Sequence, residues 1–307
     1  DNPDDAAVVQ PPVGKLLVHT VDYLRSLVKD PFIFGQIAAN HCLNDLWAMG
    51  ATPHNALAIA TIPYGKPKQV EESLYQLLAG ITKTLQQHQI PLIGGHSSEG
   101  SELSLGLACN GFVEPAKLLR KSGMEPGQVL ILTKALGTGT LFAAAMRHQA
   151  KGRWLEEAVS SMLISNQQAA QLFQAQGATA CTDVSGFGLV GHLVEMVQAS
   201  QVSIELNLEA IPILTGAINT INMGITSSLQ PQNLLAAHYL HTTENLSSLS
   251  EYQLLFDPQT SGGLLATVPP ANVETCLHLL QEKGYQHSCV IGKVQGSLRD
   301  DQMIHLM

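Results

Sequence analysis

The chain has 307 residues, of which 45% are hydrophobic, and its 16 basic and 25 acidic residues give a formal net charge of −9. This length exceeds the usual size of a single core and predicts two domains. The negative charge argues against a nucleic-acid or anionic-membrane surface. No apolar run approaches the length of a membrane span, the N-terminus lacks a signal-peptide pattern, and the five separated cysteines form no C-x-x-C pair. A reducing cytoplasm is therefore the expected setting.

The chain begins with two short apolar segments, each next to acidic residues. Asp4 and Asp5 come directly before the apolar residues 6–9. They are either metal ligands at the start of a strand or part of a frayed, solvated terminus. Residues 15–21 are predicted to form a strand that ends at Asp22.

A helix predicted over residues 32–49 and stopped by Gly50 carries the next polar group. Asn40 and Asn44 lie four positions apart, on one face, with Asp45 beside them. Asn and Asp are mediocre helix formers, so their presence in a helix rich in Ala, Leu and Ile indicates a polar task. The alternative is a solvated face, although such faces more often carry Lys, Glu and Gln.

A glycine pair marks another candidate segment in the first half of the chain. After a predicted strand (55–62) and a predicted amphipathic helix (71–88), residues 94–100 read GGHSSEG. Paired glycines permit close backbone approach, and His96 and Ser97 supply hydrogen-bond donors. The segment is either a ligand-binding loop or a turn into the strand that follows it.

A change in composition over residues 114–127 marks a domain boundary, which gives predicted domains 1–115 and 116–307. In the second domain a strand (129–133) leads into residues 134–139, which contain G-x-G before a helix. This segment lacks the third glycine of a dinucleotide-binding fingerprint and is a weak signal. The other predicted helices cover residues 140–147, 154–163, 167–176, 213–223 and 272–283, and the other predicted strands cover residues 202–206, 264–268, 289–294 and 303–305.

The segment TDVSGFGLVGH at residues 182–192 is a strand–loop–helix joint. Such a joint can place Asp183 at the carboxyl end of a strand and expose backbone N–H groups at the start of a helix. A carboxylate beside free N–H groups suits a phosphate that arrives with a divalent metal. The alternative is that Asp183 or Ser185 only caps the helix.

Several polar loops at element ends carry one aspartate each, at positions 5, 22, 45, 183 and 257. The chain has no Ser-His-Asp spacing, no nucleophile elbow, no Walker A motif and no kinase signature. Aspartates scattered among glycine loops, without a nucleophile motif, indicate metal-dependent phosphoryl transfer. A nucleoside triphosphate carries about four negative charges, so an acidic protein needs Mg²⁺ between itself and the nucleotide.

The motifs in this chain also occur in a fixed order, at residues 4–8, 20–22, 44–50, 94–97, 132–137, 182–188 and 257–263. In that order they resemble the selenophosphate synthetase (selenide, water dikinase) family, of the aminoimidazole ribonucleotide synthetase superfamily. Residues 14–50 resemble the version of the family that is fused behind a pyridine-nucleotide oxidoreductase. The family fold implies a mixed α/β chain of the α+β class, with two domains and an N-terminal sheet that closes into a barrel with its dimer mate.

The resemblance also implies an activity and a set of site residues. The implied reaction converts ATP, selenide and water into selenophosphate, AMP and phosphate, in a homodimer. The implied Mg²⁺ ligands are Asp5, Asp22, Asp45 and Asp183. The implied ATP-binding residues are Asn2, Pro3, Asp4, Asp22, Asp45 and, from the other subunit, Gly95, His96 and Ser97.

The sequence departs from the family pattern at its start. The family has a mobile glycine-rich segment, with a catalytic Cys or selenocysteine and a Lys, upstream of the motif that contains Asp5. The chain as given has no room for that segment, so we expect binding of nucleotide and Mg²⁺ with little or no selenide-dependent turnover. The alternatives are another ATP-using kinase of the same superfamily and a non-catalytic nucleotide-binding module.

Overall fold

The structure is a computed structural model that describes residues 11–242, 244–297 and 303–307. The chain divides into two compact units, Asp1–Leu118 and Leu119–Met307. No helix within the described ranges is long and apolar enough to cross a membrane.

The first unit is a four-stranded sheet with two helices. In chain order its elements are β1 (Leu16–Arg25), α1 (Pro31–Ala48), β2 (Thr52–Pro63), α2 (Pro67–Gln87), β3 (Leu92–Gly100) and β4 (Ser104–Val113). The strand order is β1-β4-β2-β3. Strand β4 is antiparallel to both β1 and β2, whereas β3 is parallel to β2. The crossover from β2 to β3 runs through α2, as parallel neighbours require.

Helix α1 is the core of the first unit. The side chain of Asp30 accepts hydrogen bonds from the backbone N–H groups of Phe32 and Ile33, with Pro31 in the first turn, so the helix begins where the sequence predicts. Helix α1 packs against α2 at two glycines, Gly35 on α1 and Gly80 on α2. A Cβ atom on Gly35 would lie 2.3 Å from the carbonyl oxygen of Leu77, so the two backbones are in close contact.

The polar face of α1 is not solvated. Asn40 is 3% exposed and Asn44 is fully buried, whereas Asp45 is half-buried. The alternative of an ordinary solvated face is therefore wrong for the two asparagines. Burial of amides inside a helix is costly unless they are hydrogen-bonded, which indicates that this face holds a polar network.

The sheet of the first unit has two different faces. Helices α1 and α2 cover one face. The other face carries apolar side chains that remain exposed in the described structure, at Leu17, Val21, Tyr23 and Ile59. Alternation along β1 separates the two sets of side chains.

The second unit is built on a seven-stranded, mostly antiparallel sheet of order β6-β9-β5-β10-β7-β11-β8. Its strands are β5 (Val129–Leu132), β6 (Ala180–Asp183), β7 (Val202–Leu206), β8 (Leu240–His241), β9 (Leu264–Val268), β10 (Cys289–Ser297) and β11 (Ile304–Leu306). Its helices are α3 (Thr138–Met146), α4 (Gly152–Leu163), α5 (Gln167–Ala175), α6 (Gly188–Ser200), α7 (Ala217–Asn222), α8 (Gln230–Asn233), α9 (Glu244–Ser247), α10 (Ser250–Leu254) and α11 (Val273–Glu282).

Three sequence predictions differ from the structure. Strand β1 continues to Arg25, so Asp22 lies inside the strand and not at its end. Residues 94–100 belong to β3, so neither a loop nor a turn forms there. Helix α7 covers only Ala217–Asn222 of the predicted helix 213–223, because the chain turns at Gly216 with φ of 90°.

Candidate functional site

Two carboxylates of the first unit interact electrostatically. Asp22 lies on β1, and Asp45 lies on α1. The strand alternation turns Thr20 and Asp22 toward the helix side of the sheet. The hydroxyl of Thr20 donates a hydrogen bond to Oδ2 of Asp45. On the other side, Nε2 of His41 lies 3.9 Å from Oδ2 of Asp22. The site therefore draws on a strand and a helix that the core holds together.

The electrostatics of this pair are unfavourable in the absence of a cation. Burial, and after it the charge of Asp45, raise the pKa of Asp22 from 3.8 to about 6. Two carboxylates that repel each other in a half-buried position are hard oxygen ligands, which is what Mg²⁺ prefers. The pair is thus suited to a divalent cation.

No group of three His, Cys, Asp or Glu side chains that could hold a metal ion occurs within the described ranges. This does not conflict with magnesium, because Mg²⁺ is usually bound by one or two carboxylates, with water and substrate phosphates completing its octahedron. Among the carboxylates in the described part of the first unit, Asp22 and Asp45 interact with each other and supply two such ligands. The predicted site residues Asn2, Pro3, Asp4 and Asp5 lie outside the described residues.

Gly95, His96 and Ser97 lie in the middle of β3, an edge strand of the sheet. All three are exposed. A Cβ atom on Gly95 would lie 2.1 Å from the carbonyl oxygen of Ala58, so only glycine fits against β2 here. The segment is therefore a rigid strand that presents His96 and Ser97 outward.

Asp183 is the last residue of β6, at the edge of the sheet of the second unit. It is 6% exposed, and its charge acts on the buried ammonium group of Lys134. Nζ of Lys134 donates to the carbonyl oxygens of Ile164 and Ser261, at 2.6 and 3.0 Å. Burial lowers the pKa of Lys134 to about 7, and Asp183 partly opposes this effect. Lys134 belongs to one of the family-like motifs, yet nothing in its local sequence predicts that it is buried beside Asp183.

The loop after Asp183 does not form the predicted helix cap. Helix α6 begins after Phe187, which occupies the N-cap position and makes no side-chain capping hydrogen bond. Neither Asp183 nor Ser185 therefore occupies the N-cap position of α6. The backbone N–H of Ser185 instead donates to Nε2 of the buried His192, at 3.0 Å. His192 therefore holds the loop in place. In the sequence, only its position one turn into α6 could have indicated this role.

The backbone N–H groups of the G-x-G segment at the start of α3 donate to other side chains of the same chain. Oε1 of Gln259 accepts hydrogen bonds from the backbone N–H groups of Gly137 and Thr138, at 3.1 and 3.2 Å. Oδ2 of Asp257 accepts from the N–H of Gly139, at 2.9 Å. In a dinucleotide-binding fold such N–H groups would bind phosphate. Here internal acceptors satisfy them, which agrees with the weak motif.

Comparison with known proteins places this geometry in a family. Two family models match the chain, the N-terminal domain of AIR synthase related protein at residues 3–113 and its C-terminal domain at residues 125–302. The chain is also 38% identical over 295 residues to the selenide, water dikinase of Geobacter sp. (strain M21), covering 95% of this chain and 83% of the relative. The chain belongs to the selenide, water dikinase family. The resemblance drawn from the ordered motifs is confirmed.

Solved structures show the same two-domain fold. Thiamine-monophosphate kinase from Stenotrophomonas maltophilia K279a superposes with a TM-score of 0.73 at 21% identity, covering 99% of this chain and 89% of that one. Hydrogenase maturation protein HypE in complex with ATP superposes with a TM-score of 0.73 at 16% identity, covering 95% and 80%. At these identities the likeness concerns the fold alone. The mixed α/β, two-domain fold expected for a selenide, water dikinase is confirmed.

Proposed function

We propose that the chain catalyses the ATP-dependent synthesis of selenophosphate from selenide, with AMP and phosphate as the other products. Membership of the selenide, water dikinase family along 95% of the chain supports this reaction. The structural observation that carries the proposal is the pair of Asp22 and Asp45, where the pKa of Asp22 is raised to about 6. Such a pair is suited to binding Mg²⁺. The cation is needed because an ATP-dependent reaction brings negatively charged phosphates into a protein of net charge −9.

In this proposal Asp22 and Asp45 hold Mg²⁺ and, through it, the phosphates of ATP. Asp183 is a further Mg²⁺ ligand, and its sequence motif supports this role. When bound, Mg²⁺ would offset the negative charge of the phosphates and fix their orientation. Thr20 orients Asp45 by its hydrogen bond, so that one carboxylate oxygen is fixed before the nucleotide arrives.

The remaining ligands in the proposal rest on the sequence motifs. We assign Asn2, Pro3 and Asp4 to the nucleotide and Asp5 to the metal. Selenide is the proposed phosphoryl acceptor, and residues 14–50 point to a fused pyridine-nucleotide oxidoreductase as its neighbour.

A homodimer is part of the same proposal. Gly95, His96 and Ser97 are assigned to the ATP of the other subunit by their sequence motif, and their exposure on an edge strand supports this assignment. An exposed sheet edge with unpaired backbone groups favours pairing with a second copy. The exposed apolar face that includes Val21 and Ile59 adds surface that a second copy would bury.

Calorimetry with a non-hydrolysable ATP analogue tests the metal site. We expect Asp22→Asn and Asp45→Asn to weaken Mg²⁺-dependent binding at least about tenfold, because each removes a ligand charge. The analogue affinity in EDTA should stay at the wild-type value. The matched control is Asp30→Asn, since Asp30 caps the same helix and Asn caps equally well. Unchanged affinity of both site variants in Mg²⁺ would refute the site.

Product analysis tests the reaction. If the proposal holds, AMP should form from ATP in proportion to the selenide that is supplied. ADP as the final nucleotide would assign the chain to the alternative of another ATP-using kinase. Tight binding of the Mg²⁺–nucleotide complex without turnover, both in this chain and with the family's upstream glycine-rich segment added, would assign it to the alternative of a nucleotide-binding module.

A further inference from the structure

We infer that Gln259 is a positioning residue for Asp183, because it fastens the loop that follows Asp183 to the start of helix α3. The inference rests on the proposed function, in which Asp183 is a Mg²⁺ ligand. It concerns the segment Asp257–Gly263, which the composition of the chain predicts only as a loop of small residues.

The side chain of Gln259 is buried and fully engaged. It is 3% exposed. Its Oε1 accepts from the backbone N–H groups of Gly137 and Thr138 and from the hydroxyl of Thr138, at 3.1 to 3.2 Å. Its Nε2 donates to the carbonyl oxygen and to Oδ2 of Asp257, at 2.7 and 3.0 Å. One amide therefore joins the first turn of α3 to the beginning of the segment.

The backbone of the same segment holds the loop beyond Asp183. The N–H of Gln259 donates to the carbonyl oxygen of Ser185, at 2.9 Å. The N–H of Val184 donates to the carbonyl oxygen of Gly263, at 2.8 Å. The two residues that follow Asp183 are thus both fixed by residues of the Gln259 segment.

Tight packing makes this connection stiff. A Cβ atom on Gly262 would lie 2.0 Å from the carbonyl oxygen of Val184, and one on Gly263 would lie 2.6 Å from the backbone nitrogen of Lys134. The segment therefore cannot shift without moving Val184 or Lys134. A displacement at Gln259 passes directly to the position of Asp183.

In other metal-binding proteins, residues around the metal ligands hold those ligands in position in a comparable way. A ligand holds a metal tightly only when its own orientation is fixed by neighbouring hydrogen bonds, and loss of such a neighbour typically costs about 10- to 100-fold in metal affinity. Gln259 acts through the backbone next to Asp183 and does not need to touch the metal. An uncharged amide suits its two kinds of partner, since its oxygen accepts from N–H groups while its NH₂ group donates to the oxygens of Asp257.

A Mg²⁺ titration of nucleotide binding tests the inference. Gln259→Glu keeps the shape and the acceptor but places an oxygen against the oxygens of Asp257. We expect the Mg²⁺ concentration at half-saturation, with a fixed amount of non-hydrolysable ATP analogue, to rise about 10- to 100-fold. The affinity for the analogue in EDTA should not change. The control is Thr140→Val, in the same helix, because buried Thr140 bonds the carbonyl oxygen of Ile225 at 2.7 Å and has no described hydrogen bond to the loop after Asp183.

The outcomes separate this inference from the proposed function. Asp183→Asn is titrated in parallel. If Asp183→Asn raises the Mg²⁺ requirement and folded Gln259→Glu does not, the positioning role is overturned while the metal site stands. If neither variant changes the requirement, Asp183 is not a ligand and its assignment in the proposed function fails, whereas the roles of Asp22 and Asp45 are decided by their own variants. If Gln259→Glu raises the requirement no more than Thr140→Val at equal loss of melting temperature, its effect is general destabilisation and the inference is wrong.

A milder variant covers the case in which Gln259→Glu does not fold. Thr138→Ala removes one of the three donors to Oε1 of Gln259 and the acceptor of the N–H of Thr260. We expect the Mg²⁺ requirement to rise about three- to tenfold, because two hydrogen bonds of the Gln259 segment are lost while the Gln259 side chain keeps its other partners. A wild-type requirement in this variant would overturn the inference.

Discussion

Nζ of Lys134, a residue that is only 3% exposed, donates a 2.6 Å hydrogen bond to the carbonyl oxygen of Ile164. Burial lowers the pKa of this lysine from 10.5 to about 7. The unfolded chain therefore binds more protons at this site than the folded chain between about pH 7 and 10.5. The contribution of Lys134 to the free energy of unfolding should rise with pH across that window.

Lys134→Met removes this contribution. We expect the free energy of unfolding of the variant, from urea titrations at several pH values between 7 and 10.5, to rise less with pH than that of the wild type. Taking the difference between the two proteins cancels the cysteines and tyrosines that titrate in the same range. Equal slopes would show that Lys134 keeps an ordinary pKa in the folded protein.

Asp257 should affect stability with the opposite sign. Burial raises its pKa from 3.8 to about 7, although hydrogen bonds from Gln259 and from the backbone N–H groups of Gly139 and Thr140 oppose this shift. The folded chain then binds more protons, so this contribution is complete below pH 3.8 and is lost as the pH rises to about 7. Asp257→Asn mimics the neutral acid and should abolish that loss, as measured by urea unfolding at pH 5 and pH 8. A wild-type decrease in the variant between these two pH values would contradict the assignment.

The sequence predicts the elements of this fold better than it predicts the contacts of the site. Helix α1 is predicted within a residue of its observed start, because Asp30 and Pro31 are local signals that act through neighbouring N–H groups. Strand β3 is missed, because GGHSSEG has neither apolar alternation nor β-branched residues. Its extended form comes from pairing with β2, which a local pattern does not encode.

The same distinction applies to the candidate site. Aspartates at positions 22, 45 and 183 can be selected from the sequence, since each lies in one of the ordered motifs. The bond between Gln259 and Gly137 joins residues 122 positions apart, and no periodicity reports it. Lys134 is equally hidden, because a lysine at a strand end is predicted to be solvated.

Gly262→Ala should destabilise the second unit strongly. The new Cβ would lie 2.0 Å from the carbonyl oxygen of Val184, so the backbone has to move. Overpacking of this kind costs about 2–3 kcal/mol, which lowers the melting temperature of a unit of this size by roughly 4–12 °C. The matched control is Gly186→Ala, since a Cβ at Gly186 meets nothing within 4 Å. Equal melting temperatures for the two variants in differential scanning fluorimetry would contradict the close packing.

The coupling between Asp22 and Asp45 can be measured without metal. NMR titration of the carboxyl carbons in EDTA should give Asp22 a pKa of about 6. Asp45→Asn removes the neighbouring charge and should move the pKa of Asp22 toward 3.8, but not all the way, because burial is the larger cause. An unchanged pKa in the variant would show that the two carboxylates do not interact.

The exposed apolar face of the first unit should control dimerisation. Val21 is 64% exposed on β1 and shares that face with Tyr23 and Ile59. Val21→Lys places a charge where a second copy would bury the valine, and burial of one valine is worth about 1.5–3 kcal/mol. We expect the dimer dissociation constant, from sedimentation equilibrium, to rise at least about tenfold. Tyr75→Lys is the matched control, because Tyr75 is 66% exposed but lies on α2, which covers the opposite face of the sheet. A monomeric wild type would refute the homodimer, and weakening by Tyr75→Lys alone would place the contact on the helical side.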